Sequence, residues 1–119
     1  MIRQAEEERR CLLQILYESG TSLRAKRARS IMSELGYAVF WSVFMRHVDY
    51  LASEELIYCF PAGASSGEPS ATEQAKFIGQ SLTLSFDAPE CDTVMLRIRQ
   101  RGRHFLEGND STVKGVAKD

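Results

Sequence analysis

Three stretches with a helical repeat come before any stretch that alternates like a strand, and this order constrains the fold more than any single motif. Residues 2–19 place Ile2, Ala5, Leu12, Leu13 and Leu16 at three- to four-residue steps, with Glu6, Glu7, Glu8 and Arg10 largely opposite. Gly20 stands where a helix ends, and Thr21-Ser22 offers the next cap. From Leu23 to Leu35 a second helix turns Ala28, Ile31, Met32 and Leu35 inward and Lys26, Arg29 and Ser33 outward, with Arg24 and Arg27 on its flanks. Gly36 closes it.

The third helix, over 39–53, is the most informative. At about 100° per residue Phe40, Phe44, Val48 and Leu51 share one face, and Ser42, Arg46 and Asp49 lie opposite. Trp41 and Met45 occupy one flank, Val43 and Tyr50 the other. That apolar band is wider than a three-helix core requires, so another part of the chain covers a flank. His47 lies roughly 55° from the centre of the apolar face. It reads as a core-edge histidine with its ring packed and one nitrogen hydrogen-bonded.

Beyond Glu54-Glu55 the character changes. Leu56-Ile57-Tyr58-Cys59-Phe60 is β-rich and stops at Pro61. Residues 62–69 are a loop by composition, and Ser70-Ala71-Thr72-Glu73 has capping-box spacing for a short helix reaching Ile78. Leu82 to Phe86 alternates, as does Thr93 to Ile98, with a turn-like Asp87-Ala88-Pro89 between them, so these two runs are expected to pair as a hairpin. Arg99 to Leu106 reads as a short final helix, and 109–119 as a flexible tail.

At 119 residues and 44% hydrophobic content, the chain suits one packed domain. No run approaches the ~20 apolar residues of a membrane span, and the start of the chain lacks signal-peptide character, so a cytoplasmic protein is expected. Cys11, Cys59 and Cys91 show neither metal-ligand spacing nor a disulfide framework. A Cys59–Cys91 contact would require their segments to be neighbouring strands. No nucleophile elbow, phosphate-cradling loop or His-Glu zinc motif occurs, so no enzymatic activity, cofactor or metal is expected.

Three helices followed by a small antiparallel sheet is the α+β winged helix-turn-helix arrangement, with a three-helix core, a wing hairpin and a short C-terminal helix. On this reading the domain spans 1–108, and 61–92 is an insertion between the first strand and the wing hairpin. Val48-x-x-Leu51-x-x-x-x-Leu56-Ile57 resembles the end of a winged-helix recognition helix leading into a strand. Leu96 to Gly108, with Gly102, Phe105, Leu106 and Gly108, resembles the segment after the wing. The chain is further similar to small proteins of Mu-like prophages described as arsenic-repressor-like regulators. That similarity runs along Leu12 to Leu16, Ser33 to Tyr37, Val48 to Leu51 and Val113 to Val116. It implies a bacterial or prophage transcriptional regulator. The clustered cysteines of metal-sensing relatives are missing, so metal response is not implied.

The net charge of −1 conceals segregation. Residues 23–29 and 96–104 each carry four basic side chains and no acid. If both lie beside the third helix, Arg24, Lys26, Arg27, Arg97 and Arg99 grip phosphates of double-stranded DNA, while Tyr37, Ser42 and Arg46 approach the groove. A homodimer would set two third helices about 34 Å apart. The alternative is a protein-interaction module without DNA binding, using Trp41, Val43 and Met45 on an apolar third helix. For Trp41, burial under the insertion or the first helix is an equally open reading. A small-molecule effector held by the insertion is a third possibility.

Overall fold

The computed structural model describes residues 2–63 and 68–118. Residues 64–67 of the expected loop and the inward placing of the Ile2 side chain lie outside what it describes. Helix α1 (Ile2–Ser19) leads into a two-residue strand β1 (Leu23–Arg24), then α2 (Ala25–Glu34) and α3 (Trp41–Ser53). Strand β2 (Ile57–Pro61) follows, then α4 (Ala71–Leu82), a 3₁₀ turn over Pro89–Thr93, β3 (Val94–Ile98) and α5 (Gln100–Leu106). The fold class is α+β, with one antiparallel sheet in the order β1-β3-β2 among the described residues.

The first helix follows its sequence repeat: Leu12, Leu13 and Leu16 are fully buried. They meet Ala28 and Met32 of α2, Phe44, Val48 and Leu51 of α3, and Leu96 and Ile98 of β3 in one apolar core. Each such aliphatic, taken from water, contributes about 1.5–3 kcal/mol. Alternation along β3 turns Val94, Leu96 and Ile98 toward the helices and Met95 and Arg97 away from them.

Three helices end in the same way. The C-terminal turns of α2, α3 and α5 each close with a paired hydrogen bond of the Schellman type, from Tyr37 and Gly36, Leu56 and Glu55, and Asn109 and Gly108 respectively. Two use glycine at the left-handed position. The third uses Glu55, with φ of 62°.

Several expectations are corrected. Residues 82–86 do not form a strand. β3 is the central strand, with β1 on one edge and all five residues of β2 on the other, so neither edge of β3 is left for them. The hairpin is therefore β2–β3, and the long segment lies within it rather than before it. Its helix α4 carries the expected capping box between Ser70 and Glu73 but runs through Gly79 to Leu82. α4 packs on α3 and β2, where Gln74 Oε1 accepts the Cys59 N–H at 2.9 Å and so occupies the open edge of the sheet.

α2 begins at Ala25 because Leu23 and Arg24 pair with Leu96 and Met95. α3 begins at Trp41, which leaves Phe40 outside the core and 80% exposed.

The expected flexible tail is folded back instead. Val113 and Val116 are buried, Arg9 donates to the Gly115 carbonyl at 2.9 Å, and Tyr50 Oη donates to that of Lys114 at 2.7 Å. His47, 4% exposed, sits beneath this strap as a packed core-edge residue. Its Nδ1 accepts from Arg9 Nε at 3.3 Å, so Nε2 carries the proton donated to Glu8 at 2.7 Å. The three cysteines are free thiols, and Cys59 and Cys91 sit in β2 and the 3₁₀ turn rather than in paired strands.

Candidate nucleic-acid interface

Helix α3 keeps a narrow solvent-facing stripe. Ser42, Arg46, Asp49 and Ser53 are exposed, and Val43 and Tyr50 are half-buried beside them. This matches the face expected from the sequence. On α2, Arg27 and Ser30 are exposed, and Arg27 reaches Glu34 only at 3.9 Å. Tyr37, in the turn between the two helices, is half-buried.

Trp41 and Met45 do not form a contact surface: they are 6% and 0% exposed. Trp41 stacks on Phe44 and meets Phe86 edge to face, each at 5.6 Å between ring centroids. The inserted segment thus covers the flank that sequence alone left open. Among the described residues the buried Trp41 N–H has no hydrogen-bond partner. Of the three proposed contact residues only Val43 remains partly accessible. Near this helix the exposed apolar side chains lie one step earlier, at Leu35 (59%) and Phe40 (80%), with Phe86 (40%) in the inserted segment.

The two basic segments meet, but not beside Arg46. Arg24 donates to the Asp92 carbonyl, and Lys26 pairs with the Asp92 carboxylate at 2.7 Å. Lys26 and Arg29 also lie over the Phe86 ring, at 4.2 and 4.9 Å. Both Arg24 and Arg97 belong to the outer face of the sheet, since Arg24 pairs with Met95, the neighbour of Arg97 on that face. The helices, α3 included, pack on the inner face. Arg97 therefore does not flank Arg46, whereas Arg99, just past the end of β3, lines a cavity with Asp49, Ala52 and Ser53 of α3, so these cations do not all share one surface, contrary to expectation.

On that outer face β2 contributes Tyr58 and Phe60. Arg97, paired with Tyr58 across the strands, lies 5.0 Å from the Tyr58 ring centroid and 5.7 Å from that of Phe60. Arg99 lies 4.4 Å from the Tyr58 ring. Burial and a hydrogen bond to the Glu68 carboxylate hold the Tyr58 hydroxyl above its usual pKa, against the pull of both guanidinium groups. Arg101 is committed elsewhere: it binds the Glu54 carbonyl, Asp110 at 3.2 Å and Thr112 at 3.2 Å, tying the end of α3 to the returning tail.

Sequence reasoning named Arg97 and Arg99 but missed Tyr58 and Phe60 beneath them. Part of the signal was available: two aromatics two residues apart in one run, and two arginines two apart in another, each point to one side, and the strand register decides whether that side is shared. Among the described residues no group of three His, Cys, Asp or Glu side chains is placed to hold a metal ion. No helix of these residues is long and apolar enough to cross a membrane. No protein-family model, curated protein or solved structure matches the chain.

Proposed function

We propose that this chain is a winged-helix protein that binds double-stranded DNA as a transcriptional regulator, of bacterial or prophage origin. One observation carries the reading: the sheet order β1-β3-β2, with α2, a turn and α3 placed between β1 and β2. A winged helix-turn-helix protein has this connectivity, and its second helix of the pair is the one that enters the major groove. The exposed stripe of α3 supplies Arg46 as a bidentate donor to guanine and Ser42 as an adaptable hydroxyl. Arg27 on α2 supplies a backbone contact. With one arginine and one aspartate on the stripe, base discrimination is modest and phosphate contacts dominate affinity. Homodimerisation, with two α3 helices about 34 Å apart, supplies the second half-site.

The experiment is selection of bound duplexes from a random library. Wild-type protein enriches a motif, two-fold symmetric for a dimer, and Arg46→Ala loses the enrichment. Failure of the wild type to enrich any duplex, together with no duplex binding at low salt, overturns the reading.

A second reading is favoured by Phe40 and Leu35, whose exposure at the α2–α3 turn suits a protein contact without DNA. Sedimentation and pull-down of Phe40→Ala separate the two. If self-association and partner capture are unchanged, the second reading fails.

A further inference from the structure

The geometry points to a second nucleic-acid site on the outer face of the sheet, one that takes single-stranded rather than duplex nucleic acid. It lies across β2 and β3, with Arg99 on its border toward α3, and it does not depend on the duplex reading.

A groove of about 720 Å³ opens over β2 and β3, with Tyr58 as its floor and Arg97, Arg99, Arg103, Glu55 and Glu68 around it. The arginines over its floor are held by ring faces. A guanidinium that lies over an aromatic ring keeps its N–H donors free in its own plane, where they fit a phosphate in fork geometry. The packing also holds the side chain in place, so less rotamer entropy is lost when an anion binds.

The competing carboxylates are weakly engaged. Among the described residues none pairs with Arg97, and Glu55 reaches Arg99 only at 3.7 Å from a side chain 68% exposed. An incoming phosphate displaces Glu55 into water at small cost, since exposed ion pairs contribute little.

The aromatic component selects the form of the nucleic acid. Phe60 is half-buried at the end of β2 and sits 5.7 Å from Arg97. An unstacked base can lie against its ring or against a guanidinium plane while the neighbouring phosphate meets Arg97 and Arg99. A duplex keeps its bases stacked and offers this face phosphates alone. The groove is large enough for one or two nucleotide units rather than a helix.

The test is fluorescence anisotropy with a labelled oligothymidylate of about fifteen nucleotides, at low salt, beside a duplex of equal length. The expected result is single-strand binding at least about fivefold tighter than duplex binding in an Arg46→Ala background, where groove reading by α3 is removed. Arg97→Ala and Arg99→Ala each reduce the salt slope by about 0.7, and Phe60→Ala weakens binding about tenfold. Arg97→Lys, which keeps the charge and loses the fork, falls between wild type and Arg97→Ala. Lys76→Ala, on the exposed side of α4, is the charge control and leaves binding unchanged. Thermal melts confirm that each variant is folded.

No binding of the single strand at low salt overturns the proposal. So does binding indifferent to Arg97, Arg99 and Phe60, or equal competition by polyglutamate, which would make the face a general anion surface.

Discussion

The Trp41 indole meets the Phe86 ring edge to face, 5.6 Å between centroids, so the segment joining β2 to β3 is keyed to the first turn of α3. Phe86 is itself 40% exposed and carries Lys26 and Arg29 over its ring. It is the peg by which an otherwise long connection is held against the helix pair.

Phe86→Ala removes that peg. The expected cost is about 1 kcal/mol from the lost ring pair, measured by urea unfolding. Trp41 is the only tryptophan, so its emission should shift to the red as water reaches it. Unchanged emission and midpoint would contradict this packing role.

Glu55 holds a backbone conformation that the equivalent positions after α2 and α5 give to glycine. A side chain in the left-handed region costs about 1–2 kcal/mol, and glycine returns part of that through its greater freedom when unfolded. Glu55→Gly should therefore stabilise the fold by a net amount of about 0.5–1 kcal/mol, read as a raised denaturation midpoint. A lowered midpoint would mean that the Arg99 contact outweighs the backbone strain.

Glycines at two helical positions separate by opposite signs. A Cβ on Gly102 would stand 2.5 Å from the Leu56 carbonyl oxygen and 2.9 Å from Ile98 Cγ1, so Gly102→Ala pushes α5 from the sheet. The expected loss is about 1–3 kcal/mol. A Cβ on Gly79 meets nothing within 4 Å, and Gly79→Ala within α4 should stabilise by about 0.5–1 kcal/mol. Thermal melts of both variants measure the contrast, and equal effects would contradict the tight seat of α5.

Acid should loosen the strap over α1 and α3. Burial raises the Glu8 pKa, but hydrogen bonds from Gln4 and His47 and the charge of Arg9 outweigh it, and the net shift is downward from 4.5. A carboxylate with a depressed folded pKa adds stability above its unfolded value, and that stability is lost as pH falls through the folded one. Glu73, capped by Ser70, and Asp110, bonded by Thr112, shift in the same direction. Glu8→Gln keeps an acceptor for His47 and removes one titration, so its loss of stability below pH 4.5 should be shallower than that of wild type. An identical acid limb in denaturant titrations at several pH values would remove Glu8 from this role.

Local signals carried much of the fold. The repeat in α1, the capping box at Ser70 and Glu73, and the exposed stripe of Ser42, Arg46 and Asp49 are each decided within one or two turns of chain, and each is present in the structure. What the sequence concealed were choices between partners far apart in the chain. Leu82 to Phe86 alternates as a strand does, yet β3 had already found five-residue pairing with Ile57 to Pro61. Leu23 and Arg24 have ordinary helical character, and only Leu96 and Met95 pull them into the sheet. Val113 and Val116 are too few to announce a packed segment, because the side chains that hold its backbone, Arg9 and Tyr50, come from two helices far back in the chain. The charge pattern was legible as two basic runs, but which face each would occupy depended on strand register.

The most direct test of the account is the salt dependence of duplex binding, titrated between about 50 and 200 mM salt, for wild type, Arg46→Ala and Arg27→Ala. The account predicts wild-type affinity that falls steeply across this range, with Arg27→Ala losing about one unit of the logarithmic slope and Arg46→Ala losing about 1–3 kcal/mol of affinity for the selected site. Duplex binding absent at the lowest salt, or present and indifferent to both arginines, would contradict it.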